Sequence, residues 1–231
     1  MTGTILNVAT IVLGTVIGTL VGSRVRPSVH DRVLEGLGLV ILVLGIENAL
    51  EWRETNLLYV MGGVLIGGVV GELLDLEHRI NRLGDRVQRA VSRGEDSQVS
   101  EAFVTASLVF CIGPLAVFGA IQDGLTGDYD ALATKALLDG FASIAFAAAL
   151  GWGVALSAVA VLIVQGSFSL GAGLFDEILR GEVFAALVSA GGVLLVGIGL
   201  RLAKIREIKV ANLLPALLFA PLLAGIGTAL T

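Results

Sequence analysis

Eight stretches of mainly apolar residues, each close to the length of a bilayer crossing, fill most of this chain. They run roughly over residues 4–22, 33–50, 56–74, 102–122, 131–150, 152–173, 183–202 and 210–229. A membrane-crossing helix needs about 20 such residues at 1.5 Å each. Inside lipid the backbone must satisfy its own hydrogen bonds, which a helix does within one segment. The expected fold is therefore all-α, a polytopic membrane protein of about eight transmembrane helices. The fifth and sixth stretches part only at Gly151-Trp152-Gly153, and a seven-span path would merge or drop one segment. The first stretch lacks a basic leading region and reads as a retained helix rather than a cleaved signal.

Composition agrees. The 231 residues are 55% apolar and 15% charged, against about 25% charged in soluble domains. Mean hydropathy is +0.91. Glycine is abundant, at 31 residues, as where small side chains let membrane helices approach closely. Cys111 is the single cysteine, so no disulfide forms within the chain. His30 and His78 stand far apart in sequence, so no metal-ligand cluster is visible.

Charge placement orients the spans. Arg24, Arg26 and Arg32 follow the first. Arg79, Arg82, Arg86, Arg89 and Arg93 follow the third. Arg201, Lys204, Arg206 and Lys209 follow the seventh. These loops take all of the 15 basic residues except Arg53, Lys135 and Arg180. Basic loops stay cytoplasmic. Eight spans then put both termini outside.

The functional centre is expected between residues 101 and 151. There a hairpin joins FVTASLVFCIGPLAVFGAIQDGLTGD to TKALLDGFASIAFAAALG. Gly113-Pro114 interrupts its first helix about 15 Å from the cytoplasmic entry, because proline removes a backbone bond and clashes with the preceding turn. Gln122 and Asp123 lie at its outer end. In the second helix Lys135 and Asp139 stand four apart on one face, where they can pair, with Ser143 one turn deeper. A structural ion pair would explain those two residues. Ionisable groups inside a span otherwise mark a functional site. In the sixth span Gln165 and Ser167 stand near the same depth, and Pro221 of the eighth is about 16 Å in. Broken helices and polar groups at one level suit a midplane binding site.

Three apolar spans on either side of the hairpin resemble one another. GTVIGTLVG (14–22) is similar to QGSFSLGAG (165–173), LGLVILVLGIENAL (37–50) to AGGVLLVGIGLRLA (190–203), and NLLYVMGGVLIGGVVG (56–71) to NLLPALLFAPLLAGIG (212–227). Five crossings separate the starts of the copies, so the copies are inverted. The organisation read from this is one transmembrane domain over 1–231: a first repeat at 1–74, a cytoplasmic amphipathic helix and linker at 75–100, the central hairpin at 101–151 and a second repeat at 152–231. In the first span Gly14, Gly18 and Gly22 form a close-packing stripe. Over 75–93, Leu76, Ile80, Leu83, Val87 and Ala90 make one apolar helix face with arginines opposite. Such a helix lies at the membrane surface and attracts anionic lipid. Residues 94–100 read as a polar link, and Glu72 as a solvated carboxylate at the cytoplasmic end. Acidic residues alternate with the arginines, so nucleic acid is not an expected partner.

The N-terminal GTILNVATIVLGTVIGTLVG, the segment GELLDLEHRINRLGDRV and above all the central hairpin resemble the bacterial and archaeal DUF554 membrane proteins. The resemblance covers nearly the whole chain and implies a prokaryotic inner-membrane protein. It supplies no catalytic residues. It also implies that Gln122, Asp123, Lys135, Asp139 and Gln165 match motif positions of the family.

The function expected is a small secondary transporter or permease working by alternating access. Its partners are the lipid bilayer and a small solute or ion, with a homodimer allowed by the glycine grooves. The solute or ion site comprises Gly113, Pro114, Gln122, Asp123, Lys135, Asp139, Ser143, Gln165 and Ser167. No cofactor is expected, and sodium or a proton is the expected coupling ion. Protonation of a desolvated Asp139 is one coupling step. The alternative is a non-transporting scaffold or sensor that uses the basic amphipathic helix. An intramembrane enzyme is disfavoured, because no metal set is visible and Ser143 near Asp139 is not a nucleophile-base pair.

Overall fold

A computed structural model describes residues 1–23, 27–82, 98–112 and 114–230. Among them there is no strand. The helices are α1 Thr2–Gly22, α2 Pro27–Ala49, α3 Leu57–Leu73, α4 Leu76–Arg82, α5 Gln98–Cys111, α6 Pro114–Thr126, α7 Asp130–Leu150, α8 Ser157–Leu170, α9 Ala172–Ile178, α10 Gly181–Leu202 and α11 Ala216–Leu230. Single-turn 3₁₀ segments at Leu50–Glu54, Trp152–Leu156 and Val210–Leu213 lead into or out of the longer ones.

The ends follow local chemistry. Asn56 caps α3, its Oδ1 accepting the Leu58 N–H at 2.9 Å. α6 starts at Pro114, a first-turn position where a missing N–H costs nothing. α7 stops at Gly151, whose φ of +83° a side chain would strain. Asp75, at φ +49°, turns α3 into α4 with a 56° bend. α5 and α6 meet at 60°.

Among the described residues, six helical segments are long and apolar enough to cross a membrane, and the count becomes eight if each bent pair is one span. The polar link expected over 94–100 gives way to helix at Gln98. Of the amphipathic helix expected over 75–93, Leu76–Arg82 is helical. Asp75 is the turn before it, and residues 83–93 lie outside the described residues, as do Arg24, Arg26 and Gly113.

The chain divides into two compact units, Met1–Leu37 with Asn81–Phe175, and Gly38–Ile80 with Asp176–Thr231. Each is built from two separate stretches of the sequence. In the first unit α1 runs parallel to α7. Gly3 meets Leu132, Gly14 meets Gly140 and Ser143, Gly18 meets Ile144 and Ala147, and Gly22 meets Ala148. α5 and α6 together run alongside α8 in one direction, since Gly153 meets Val99 and Ala102 while Gly124 meets Ser169 and Ala172. α8 opposes α1, with Gly166 beside Met1. The break at Gly151-Trp152-Gly153 is therefore a reversal between two spans.

In the second unit α3 and α11 are antiparallel, with Gly63 on Ala220, Gly67 on Ala216 and Gly71 on Asn212. α2 and α10 are antiparallel too, with Gly38 on Ala203 and Gly45 on Val196. Within each unit these are the relative directions that an eight-span path demands. The large apolar side chains left outside, such as Leu13, Leu73, Phe141 and Leu170, have the exposure that lipid tolerates.

Candidate functional site

The long apolar helices define a polytopic helical membrane protein, and inside its first unit sits a polar cluster sealed from solvent. α7 supplies Lys135 and Asp139, one turn apart and both buried. Lys135 Nζ donates to Asp139 Oδ2. That same oxygen accepts Asn7 Nδ2 of α1 at 2.9 Å. Asn7 Nδ2 also reaches Gln165 Oε1 of α8, at 3.4 Å. Three helices thus meet at the Asn7 amide, which bridges the carboxylate of α7 and the Gln165 carbonyl of α8. Asn7 and Gln165 are each 0% exposed.

The glycines of α1 make this convergence possible. A Cβ at Gly14 would stand 2.3 Å from the Gly140 carbonyl oxygen, and one at Gly18 2.3 Å from that of Ile144. With hydrogen there instead, α1 lies directly on α7, and the short Asn7 side chain spans the interface. On the other flank Phe110 of α5 packs edge-on against Phe146, ring centroids 5.9 Å apart. The Lys135 ammonium lies 6.0 Å from the Phe110 centroid, within cation–π range.

The cluster is incompletely satisfied. Thr4 Oγ1, Asn7 Oδ1, Ser143 Oγ, Gln165 Nε2 and Ser169 Oγ are buried and have no protein hydrogen-bond partner. Thr4 precedes Asn7 by one turn, Ser143 follows Asp139 by one, and Ser169 follows Gln165 by one. Buried polar atoms are nearly always paired, and each orphan costs about 1–3 kcal/mol. Asn7 and Gln165 thus each keep one unpartnered atom, three hydroxyls one turn from the cluster residues are unpartnered too, and Thr19, Thr55 and Ser107 hold further orphan hydroxyls.

The residues expected at the site divide. Lys135, Asp139 and Gln165 come together. Ser143 is buried one turn away, against Gly14. Asp123 is buried at the head of α1, where its Oδ2 accepts the Gly3 N–H at 3.1 Å. That carboxylate satisfies an unpaired donor and faces the positive end of the helix. Gln122 lies apart, exposed and donating to Asp128 at 2.7 Å. Ser167 also lies apart, since it is exposed and donates to the Ile163 carbonyl at 2.6 Å. Pro114 opens α6, and Gly113 lies outside the described residues.

Two features escaped the sequence reading. Asn7 is absent from the expected site, although it is an amide inside an otherwise apolar span, the same kind of signal that singles out Asp139. The second is in the other unit. Glu72 is exposed, as expected, and in addition accepts Asn212 Nδ2 at 2.6 Å and Lys209 Nζ at 3.2 Å. Asn212 Oδ1 takes the Glu77 N–H at 2.7 Å, and Glu77 accepts from Arg201 at 3.1 Å and from the Ala211 N–H at 3.0 Å. This network ties the α3–α4 bend to the start of α11. Its carboxylates are well partnered, and it reads as structural. Among the described residues, no three His, Cys, Asp or Glu side chains group as a metal site.

A family model described as protein of unknown function (DUF554) matches residues 2–225. The uncharacterized membrane protein YdfK of Bacillus subtilis is 32% identical, over 96% of this chain and 94% of that protein. The uncharacterized protein YqgA of Escherichia coli is 31% identical, over 98% and 97% respectively. The chain belongs to the DUF554 family. No solved structure matches it.

Proposed function

We propose that the protein is a small permease of the prokaryotic plasma membrane, with both termini extracytoplasmic, that passes a small solute or ion through the Asn7–Lys135–Asp139–Gln165 cluster. The observation that carries this reading is the set of five orphaned polar atoms around a buried Lys–Asp pair. A purely structural pair is stable when every lone pair and proton around it is used. Here the surplus hydrogen-bonding capacity is where a passing polar species would be received.

The broken span supports the same reading. α5 and α6 meet at 60°, so backbone groups at their facing ends lack helical partners. Half-helices of this kind hold ions and solutes in transporters. Alternating access would come from movement at this break, with Lys135 neutralising Asp139 between cycles. The pairing in the second unit supports inverted repeats. The contact of Gly38 with Ala203 is repeated in reverse by Gly192 with Ala49, and that of Gly45 with Val196 by Gly199 with Leu42. Gly38 and Gly45 of α2 thus correspond to Gly192 and Gly199 of α10, one residue out of step with the pairing of 37–50 with 190–203.

The test is uptake into proteoliposomes. A panel of amino acids, organic acids and inorganic ions is offered to the wild-type protein and to Asp139→Asn, with folding checked by gel filtration. Uptake of one species that Asp139→Asn loses while staying folded is the expected result. Wild-type uptake undiminished in Asp139→Asn would remove Asp139 from the mechanism.

A further inference from the structure

We infer that the ligand of this cluster is a small monovalent cation of sodium's class, bound to Asp139 in exchange for the Lys135 ammonium. This rests on the permease reading of the site and names the ion it would carry.

The first argument is the identity of the orphans. Four of the five are oxygens: the hydroxyls of Thr4, Ser143 and Ser169 and the amide carbonyl of Asn7. Neutral oxygens beside one carboxylate are the donors a hard cation takes. The three hydroxyls can donate as well as accept, so it is the buried Asp139 carboxylate beside them that disfavours an anion. The phosphate- and carboxylate-binding guanidinium is absent from the cluster.

The second argument is placement. α1 and α8 run in opposite directions, so Thr4 and Ser169 fall on the same side of the Asn7–Gln165 contact. α7 runs with α1, so Ser143 falls on the other side of Asp139. Orphan hydroxyls thus flank the carboxylate on both sides along the helix axes, as steps on a path would.

The third argument is charge. Lys135 and Asp139 are both buried, so neither can be left alone without a large penalty. The ammonium is itself a monovalent cation on a four-carbon tether. When it swings from Asp139 toward the Phe110 face, a free cation takes over the neutralisation of the carboxylate, and the ring face becomes the partner of the ammonium, so the loaded site carries one net positive charge. Lys135 is then a built-in competitor that lowers apparent affinity by the fraction of time it holds the carboxylate, which lets the ion leave.

The test uses purified full-length protein in detergent at fixed pH and constant ionic strength, with sodium exchanged for potassium or choline. Thermal unfolding midpoints are measured for the wild type, Lys135→Met, Lys135→Gln and Asp139→Asn. Ligand binding to the folded state raises the midpoint by mass action. Lys135→Met and Lys135→Gln should bind sodium at least about tenfold more tightly than wild type, and Asp139→Asn should lose the response. Direct binding of radioactive sodium to wild type, absent in Asp139→Asn, keeps the test decisive if both lysine variants fail to fold. Equal stabilisation by all three salts, or a sodium response that survives in Asp139→Asn, overturns the inference. Solute uptake without any sodium effect would sink this inference and leave the permease. Sodium binding without transport would do the reverse.

Discussion

Gly14→Ala isolates the dependence of the polar cluster on backbone approach. The methyl carbon would stand 2.3 Å from the Gly140 carbonyl oxygen and 2.9 Å from Ser143 Cβ. Ordinary contact begins near 3.4 Å, so α1 and α7 must separate by about 1 Å. The neighbouring contacts at Gly18 and Gly22 are equally tight, so α1 has no local way to bend around the new atom. Overpacking of this kind costs about 1–3 kcal/mol, which corresponds to roughly 2–12 °C in midpoint for a chain of this size. The same 1 Å lengthens the Asn7–Asp139 hydrogen bond from 2.9 Å to a distance at which it no longer holds. Gly36→Ala is the matched control. Nothing lies within 4 Å of a Cβ there, and alanine should be neutral or stabilise by up to about 1 kcal/mol through helix propensity. The assay is thermal unfolding followed by gel filtration, paired with the uptake or sodium-binding readout. A Gly14→Ala protein as stable and active as Gly36→Ala would refute the claim that the α1–α7 approach assembles the site.

The other expectations act on separate parts of the fold. Lys135→Ala alone should destabilise by about 3–5 kcal/mol, because it strands a buried carboxylate, whereas Lys135→Met with Asp139→Asn should recover most of that loss; paired unfolding curves measure the difference. Phe110→Ala should cost about 3–5 kcal/mol through the cavity it leaves beside Phe146, seen as a lower midpoint in the same assay. In the second unit, Asn212→Ala removes the bonds to Glu77 and Glu72 and should cost about 1–3 kcal/mol, with Asp139-dependent sodium binding retained in detergent. Gly71→Ala puts a methyl 1.8 Å from the Asn212 carbonyl oxygen, and expression of folded protein should fall more than for any of the α1 glycines.

The spans were legible because lipid imposes a length and a composition on each segment independently. Their relative directions within each unit agree with the alternation that an eight-span path demands. The partners were not legible. The bonds that make the site join residues 132 and 158 positions apart, and no local period encodes which helices meet. In water, an amphipathic stripe names the buried face. In lipid, the outside of Phe141 is as apolar as the inside of Phe146, so hydropathy gives no face. The glycines of α1 did mark a face, and it proved to be the one on α7. Ser167 shows the converse limit. It shares its depth with Gln165, but two residues along a helix is about 200° of rotation, and it looks outward.

Asn7 carries the argument from packing to chemistry. A glycine stripe alone brings two helices together and needs no polar group. An amide alone, held away from its partners by bulky neighbours, would only burden the span. Together they place one NH₂ group within reach of a carboxylate on α7 and an amide on α8. That group supplies at most two hydrogens, and both are committed to those acceptors, while the Asn7 carbonyl has no partner in the protein. Supplying that partner from the protein would have needed only larger polar side chains. Leucine at Asn7 and Gln165 would have avoided the need altogether. That neither solution is present is the physical reason for reading the cluster as a stopping place for something mobile.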